Sequence, residues 1–359
     1  MGARKSIMLI ITYSCNLNCI YCYEPKKVKH RMTLETAKDV ILSQFSLLND
    51  ECDTVEIHFM GGEPLIEFAL IKEISEWLWS TNTKYNLMLF ASTNGTLLNE
   101  EMRVWFRSNR HRITLGLSFD GNNVMQNINR SKSSSAVDID FFAKTWPNQN
   151  IKMTISPQTL PSLSEGIIYL HNAGFGYISV DLAMGDKVNW DQSALLDYKD
   201  ELNKLVKYYL ENSEKTPCSL LNIDLSEVVK QTLKAKTCSC GEDLVCVDWN
   251  GDTYACHLFA PVTLPFDVAQ KAKAEIDFTE HEAFQSTNCD KCILSRVCNR
   301  CPGMNYLCSS NVSTPSAFHC NAFKIGFAAS CRLQMLKAQK EKEKGKIELI
   351  KRIINLLKY

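Results

Sequence analysis

Three cysteines lie within eight residues near the start of the chain, in the stretch YSCNLNCIYCYEP (13–25). Cys15, Cys19 and Cys22 have the spacing C-x3-C-x2-C and follow a short apolar run that is predicted to be a strand. A structural zinc site normally has four ligands, often from C-x2-C pairs, and the nearest further candidate is His30, beyond a lysine-rich loop. Three thiolates suit a [4Fe–4S] cluster in which one iron has no protein ligand. Zinc remains the alternative for this motif taken alone.

A second group of cysteines lies in the C-terminal part of the chain. Of the sixteen cysteines, eleven fall between Cys238 and Cys331, and only Cys52 and Cys218 stand apart from both groups. The sequence shows no secretion signal, so we expect a cytoplasmic protein with reduced thiols. Metal binding therefore explains these cysteines better than disulfides do.

The elements that must position these residues follow an alternating pattern. The predicted strands are 7–11, 54–59, 86–91, 113–118, 151–156 and 177–182. The predicted helices are 33–48, 67–79, 99–107, 137–145 and 163–173, with a further helix over 190–215. Strand and helix alternating at a spacing of about 30 residues predict right-handed parallel units. Six units are too few for a closed eight-stranded barrel, so we predict an α/β fold with a partial (β/α)6 barrel, whose chemistry lies at the C-terminal ends of its strands.

Three polar motifs follow the second, third and fourth predicted strands. They are GGEPL (61–65), STNGTLL (92–98) and SFDG (118–121). Gly61 and Gly62 would let the backbone approach a ligand closely, and Glu63 offers a carboxylate. Each motif alone fits ordinary turn chemistry. Because the C-terminal ends of parallel strands meet at one edge of a sheet, we expect all three motifs to lie beside the first cysteines.

This combination resembles the radical S-adenosylmethionine superfamily over roughly residues 6–191. The resemblance implies that S-adenosylmethionine binds the open iron of a [4Fe–4S] cluster and yields a 5′-deoxyadenosyl radical, which removes a hydrogen atom from a C–H bond. The family places an aromatic residue near the adenine, the GGEP segment at the amino group, and polar residues near the methionine and ribose. In this sequence the matching positions are Tyr21, Gly61, Gly62, Glu63, Pro64, Asn94, Ser118 and Arg130. The family pattern after SFDG is kept only in part, with Gln126 and Asn127 in place of His and Asp.

The C-terminal cysteines are similar to the SPASM extension of peptide-modifying radical enzymes, which holds two auxiliary [4Fe–4S] clusters. The spacing departs from that pattern once, with two residues instead of three between Cys298 and Cys301. By matching position, one cluster would be held by Cys289, Cys292, Cys298 and Cys320. The other would be held by Cys240, Cys256 and Cys301, with either Cys238 or Cys246 as the fourth ligand. A pair of zinc sites is the alternative.

The resemblance also implies a precursor peptide or protein as substrate. In sulfatase maturases, which make formylglycine, an Asp after the second cysteine of a hairpin acts as the base, whereas here the residue is His257. A neutral imidazole can accept a proton, so His257 is a candidate catalytic residue, with a structural histidine as the alternative. The CHLF stretch (256–259) is closer to maturases that form thioether or carbon–carbon crosslinks or that epimerise residues. An iron–sulfur electron-transfer protein and a zinc-stapled binding module are the non-enzyme alternatives.

We predict four regions along the chain: the barrel (1–191), a helical bridge (192–237), the cysteine-rich domain (238–331) and a basic C-terminal helix (332–359). The 40 basic and 40 acidic residues cancel, and no apolar stretch reaches the roughly 18 residues of a membrane span, so neither nucleic acid nor membrane is expected as a partner. The resemblance implies an electron donor such as flavodoxin or ferredoxin. Only fourteen residues precede Cys15, so a separate leader-recognition protein is a further candidate partner.

Overall fold

The computed structural model describes residues 3–357, apart from residues 26, 186, 231–235, 237, 287, 288 and 290. Contacts within the chain divide it into two compact units, each assembled from separate segments. The first unit comprises Met1–Ser118, Arg130–Gln149 and Ser239–Glu280, and the second comprises Phe119–Asn129, Asn150–Cys238 and His281–Tyr359.

All six predicted strands are present, and the hairpin around Asn250 and Gly251 adds two more. The strands are β1 (Ala3–Thr12), β2 (Cys52–Gly61), β3 (Asn86–Thr93), β4 (Ile113–Leu117), β5 (Asn150–Ile155), β6 (Tyr177–Leu182), β7 (Leu244–Val247) and β8 (Thr253–Tyr254). The first unit contains a sheet with the order β4-β3-β2-β1-β7-β8, and the second contains the β5-β6 pair. Neighbouring strands from β1 to β4 pair in parallel, as do β5 and β6. The predicted α/β fold class is therefore confirmed.

The helices alternate with the strands along the first half of the chain, as predicted. Their bounds are α1 (Leu34–Ser46), α2 (Phe68–Ser80), α3 (Glu100–Ser108), α4 (Asn123–Asn129), α5 (Ile139–Thr145), α6 (Leu163–Asn172), α7 (Ala194–Glu211), α8 (Phe266–Glu275), α9 (Pro302–Ser309), α10 (Ala317–Glu341) and α11 (Lys344–Leu356). Polar side chains cap several N-termini; at α3, for example, Asn99 Oδ1 accepts from the Met102 amide at 2.9 Å. No helix within the described residues is both long enough and apolar enough to span a membrane.

The division by contacts differs from the four predicted regions, which stay a prediction of the domain organisation. Strand β7 belongs to the predicted cysteine-rich region, yet it pairs in parallel with β1, with Met8 opposite Cys246. This pairing joins residues 239–280 to the first unit. Residues 231–235 and 237 of the predicted bridge lie outside the described residues.

The predicted basic C-terminal helix forms two helices, α10 and α11, because the chain turns at Lys342, where φ is 59°. Helix α11 buries Ile350 and Ile353 in a cluster that includes Val228 and Phe327. Ile354, which the sequence pattern places on the same apolar face as Ile350, is exposed instead. The buried face of α11 is therefore centred on Ile350 and Ile353, because these two residues contact the rest of the second unit.

Candidate active site

The loop after β1 carries the first three cysteines at the C-terminal edge of the sheet. Cys15, Cys19 and Cys22 are partly exposed, and the Cys22 amide donates to the Cys19 carbonyl at 3.1 Å, closing a turn. Burial raises the pKa of the Cys15 thiol, and the Lys27 ammonium opposes that rise. Across the described part of the chain, no three His, Cys, Asp or Glu side chains converge as ligands of one metal ion. The thiols of a cluster bind different irons and need no such convergence, so three cysteines on one loop fit a cluster as donors.

The two glycines of the GGEP segment pack against the start of the cysteine loop. The Gly62 amide donates to the Thr12 carbonyl at 3.0 Å, and the Glu63 amide donates to the Ser14 carbonyl at 2.8 Å. A Cβ atom on Gly62 would lie 2.4 Å from the Ser14 oxygen, and one on Gly61 would lie 2.0 Å from the Thr12 oxygen. These residues are therefore glycine because β2 ends against backbone. Their predicted contact with a cofactor stays a prediction.

We expect Gly62→Ala to lower the free energy of unfolding by about 1–3 kcal/mol, because the new methyl group would meet backbone atoms that cannot rotate away. Gly176→Ala is the matched control, since no atom lies within 4 Å of the Cβ position there. Urea unfolding of both variants measures the difference. Equal midpoints for the two variants would contradict the close packing of Gly62.

The Glu63 carboxylate joins the ends of β2 and β3. Its side chain is buried, with 1% of its surface exposed. Oε1 accepts from the Leu65 amide at 3.0 Å and from the Thr93 hydroxyl at 2.7 Å, and Oε2 accepts from the Asn94 amide at 2.8 Å. Burial raises the pKa of Glu63, while these hydrogen bonds and the Arg130 charge oppose the rise. A carboxylate held by three donors is a fixed anion at the edge of the sheet.

The Asn94 side chain connects the β3 turn to the cysteine loop. Asn94 Nδ2 donates to Asn16 Oδ1 at 3.0 Å, and Asn16 Nδ2 donates to the Thr96 hydroxyl at 2.7 Å. The Thr96 hydroxyl donates to Asn94 Oδ1 at 2.7 Å, which completes a ring of side chains. Asn16 lies between the first two cysteines, so this ring holds the loop against β3. The predicted position of Asn94 near the cofactor is untested.

Arg130 packs against Tyr21, which belongs to the cysteine loop. The Arg130 guanidinium lies 5.6 Å from the centre of the Tyr21 ring, and Arg130 is 8% exposed. Ser131 and Lys132 follow in the left-handed region, with φ of 53° and 57°. Ser131 Oγ accepts from the Asn18 amide at 2.9 Å. Two successive non-glycine residues with positive φ are costly, and the hydrogen bond of Ser131 to the loop stabilises the turn that follows Arg130.

Ser118 and Gln126, which lie after β4, both make hydrogen bonds within the protein. The Ser118 amide, at the end of β4, donates to the Thr93 carbonyl at 2.9 Å. Gln126, which stands where the family pattern has His, accepts from the Asp120 amide through Oε1 at 2.8 Å and is buried. Gln126 therefore stabilises the turn after β4.

Lys27 contacts the cysteine loop, which the sequence analysis did not anticipate. Its Nζ lies 3.4 Å from Cys22 Sγ. Burial alone would lower the pKa of Lys27, but the charges of Cys22, Cys15 and Glu24 together raise it above its usual range. The hint in the sequence is the lysine-rich stretch KKVK (26–29), which begins four residues after the third cysteine.

His257 lies beside the cysteine loop, although 234 residues separate it from its partner Tyr23. Its Nε2 is 3.2 Å from the Tyr23 hydroxyl, and the two ring centres are 5.7 Å apart. His257 follows Cys256 and is partly exposed. Tyr23 directly follows Cys22, so the pair joins the hairpin of β7 and β8 to the first cysteines.

The second unit contains a cavity of about 940 Å³ lined by five cysteines. Burial raises the pKa of Cys298 to about 12, and the nearby Cys320, Cys289 and Cys292 thiols add to the rise. The structure thus brings together the four predicted ligands of one auxiliary cluster, and Cys301, predicted for the other cluster, lines the same cavity. The lining cysteines are Cys289, Cys292, Cys298, Cys301 and Cys320.

The remaining predicted ligands are divided between the two units. Cys240, Cys246 and Cys256 are buried in the first unit, while Cys238 is exposed in the second. Burial raises the pKa of Cys246 well above its usual value, and the Cys256 thiol adds to the rise. Cys246 therefore lies near Cys256, and Cys238 and Cys246 both stay predicted candidates for the fourth ligand.

Three relatives among curated proteins match the chain over different fractions of its length. An uncharacterized protein of Methanocaldococcus jannaschii is 28% identical over 77% of this chain and 93% of its own length. The serine-type anaerobic sulfatase-maturating enzyme of Klebsiella pneumoniae is 22% identical over 84% of each chain. The PqqA peptide cyclase of Gluconobacter oxydans is 31% identical, but only over 26% of this chain and 25% of its own.

Solved structures share the fold of nearly the whole chain. Native anSMEcpe with bound AdoMet has a TM-score of 0.71 and 19% identity, over 98% of this chain and 100% of its own. The same protein with AdoMet and the Cp18Cys peptide has a TM-score of 0.69, 20% identity and the same coverage. Streptococcus suis SuiB bound to the precursor peptide SuiA has a TM-score of 0.54 and 15% identity, over 84% of this chain and 73% of that one. These likenesses show a shared fold.

The radical SAM superfamily matches residues 9–139. This segment contains the cysteine loop, the GGEP segment, the β3 turn and Arg130, which are the parts that the structure brings to one edge of the sheet. Residues 9–139 of this chain therefore form a radical SAM domain.

Proposed function

We propose that this protein is a radical SAM maturase that removes a hydrogen atom from a residue of a ribosomally synthesised peptide and forms a thioether or carbon–carbon crosslink. The observation that carries the proposal is the attachment of the three-cysteine loop to the ends of β2 and β3 through Gly62, Glu63 and Asn94. When bound, S-adenosylmethionine and a reduced [4Fe–4S] cluster supply a 5′-deoxyadenosyl radical that abstracts the hydrogen atom.

The residues at this edge suit that cofactor pair. Cys15, Cys19 and Cys22 would hold the cluster. S-adenosylmethionine carries an ammonium and a carboxylate, and Glu63 and Arg130 supply buried charges of both signs. The remaining proposed contacts are Tyr21, Gly61, Gly62, Pro64, Asn94 and Ser118.

The cysteine cavity supports a further cluster. Cys289, Cys292, Cys298 and Cys320 line one cavity of the second unit, and we assign them to one auxiliary [4Fe–4S] cluster. A second would be held by Cys240, Cys256 and Cys301 with Cys238 or Cys246. Three clusters require about twelve irons per chain after anaerobic reconstitution. Zinc with little iron would overturn this assignment.

The substrate class rests on the named relatives and neighbours. Two of the similar structures contain a bound peptide, and two relatives are named for maturing a sulfatase and cyclising a peptide. Formylglycine formation is the second candidate, favoured by the match to the full length of anSMEcpe. His257 stands where that candidate reaction would have an Asp, which favours a crosslink. A low-potential donor such as flavodoxin or ferredoxin and a leader-recognition protein are the proposed further partners.

Within this function, His257 would accept the proton that the substrate loses as the new bond forms, and one of the proposed auxiliary clusters would accept the electron lost in the same step. The Tyr23 hydroxyl, 3.2 Å from Nε2, orients the imidazole. We expect His257→Gln to lower crosslink formation about 10²–10⁴-fold while 5′-deoxyadenosine still forms. The exposed His111, changed to Gln, is the control and should leave both unchanged. Liquid chromatography with mass spectrometry measures both products, and normal crosslinking by His257→Gln would contradict the role.

The proposed function is tested with the anaerobically reconstituted protein, S-adenosylmethionine, dithionite and the short peptide encoded next to its gene. A crosslink is expected to remove two hydrogens from the peptide. An aldehyde that reacts with a hydrazide would indicate formylglycine, and deuterium uptake from heavy water without a crosslink would indicate an epimerase. Failure to form 5′-deoxyadenosine under any condition would favour an electron-transfer protein.

A further inference from the structure

The Lys27 side chain lies against the sulfur of the third cysteine in the radical SAM loop. Nζ is 3.4 Å from Cys22 Sγ, within the range of an N–H···S hydrogen bond. Lys27 is partly buried, whereas Lys29, two residues later in the same loop, is exposed. Of the two described lysines in this segment, Lys27 makes the contact.

The Lys27 ammonium lies close to two of the proposed cluster ligands. Cys22, Cys15 and Glu24 are the acidic groups around it, and Lys27 is partly buried. A charge that is partly shielded from water acts more strongly on a neighbouring group than an exposed charge does. Two of these three partners are proposed ligands of the same cluster, so the positive charge of Lys27 is directed at that cluster.

We propose that Lys27 raises the reduction potential of the cluster held by Cys15, Cys19 and Cys22. One-electron reduction by a low-potential donor adds one negative charge to the cluster. A fixed positive charge and a hydrogen bond to the Cys22 sulfur stabilise the reduced form more than the oxidised form. The inference rests on the proposed function, because it takes these three cysteines as cluster ligands.

The direction of the effect follows from charge. Lys27→Gln removes the cation, and we expect the equilibrium constant for reduction to fall about tenfold, which is ~59 mV toward negative potential for one electron. Lys27→Arg keeps the charge and should stay close to the wild-type value. Lys29→Gln removes an exposed charge from the same loop and should change the potential much less.

The measurement is a potentiometric titration followed by electron paramagnetic resonance on the full chain, with iron determined for each variant. The relevant signal is the one that changes when S-adenosylmethionine is added, which separates this cluster from any auxiliary ones. A wild-type potential in Lys27→Gln with full iron content would overturn the inference. If Lys27→Gln bound less iron, the reduction potential of Lys27→Met, which also lacks the charge but keeps a long side chain, would be compared with that of the wild-type protein instead. If the wild-type protein showed no responsive signal, the proposed function itself would fail.

Discussion

Replacing Cys19 with alanine is expected to abolish 5′-deoxyadenosine formation and to lower bound iron by about four atoms per chain. Cys19 supplies one of only three thiols on the loop after β1, and its carbonyl accepts the turn-closing hydrogen bond from Cys22. With two thiols left, the cluster loses one of its three proposed thiolate ligands. Iron analysis and chromatography of the nucleoside product measure the two losses.

The control for this prediction is Cys308→Ala. Cys308 lies on α9 and is exposed, outside the proposed ligand sets. We expect this variant to keep the wild-type iron content and nucleoside production. About eight irons retained by Cys19→Ala would show that the rest of the protein is folded. Wild-type iron and activity in Cys19→Ala would contradict the ligand assignment.

Glu63→Gln is expected to lower both the stability of the protein and its affinity for S-adenosylmethionine. Three donors point at the two carboxylate oxygens, but glutamine offers only one oxygen. If that oxygen serves Leu65 and Thr93, the new amide faces the Asn94 N–H, and a buried unpaired donor costs about 1–3 kcal/mol. The substitution also removes the anion that we assign to the cofactor ammonium.

Chemical denaturation and equilibrium binding of S-adenosylmethionine measure the two effects, with Glu73→Gln on the exposed side of α2 as the control. Burial raises the pKa of Glu63, so acid protonates it sooner than an exposed glutamate. Binding to the wild-type protein should therefore weaken as the pH falls through that raised pKa, and binding to Glu63→Gln should lack this component. Equal affinity and equal pH dependence in both proteins would exclude a charge role for Glu63.

The predicted strands and helices agree closely with the structure because their signals are local. The periodicity of apolar residues and the turn residues between them place all six parallel strands within a few residues. Asn250-Gly251 is likewise a local turn signal, and it connects β7 to β8 with Gly251 at φ 93°. The C-terminal tail shows the limit, since the side of α11 that is buried depends on the partner surface supplied by residues such as Val228.

The largest difference between the sequence prediction and the structure concerns Gly61 and Gly62. The sequence predicts that Gly61 and Gly62 make room for a ligand. In the structure, the space that a side chain would need at these positions is occupied by the backbone of the cysteine loop. A glycine required by close approach has the same sequence signature whether the neighbour is a ligand or the chain itself. Tyr23 and Lys27 were missed for a related reason, because neither residue type is unusual beside a cysteine.

By itself, the sequence determined which chemical groups are present. It also determined that the first three cysteines and the polar motifs after β2, β3 and β4 lie at the C-terminal edge of the sheet. Cysteine spacing is a local property, and parallel strands bring their C-terminal ends together whatever lies between them. Only the tertiary structure decided how those groups are held: the Asn16–Asn94 contact, the placement of His257 against Tyr23, and the contact of Lys27 with Cys22. The first two join residues 78 and 234 positions apart, and packing of the whole unit, which no local pattern encodes, selects such pairs.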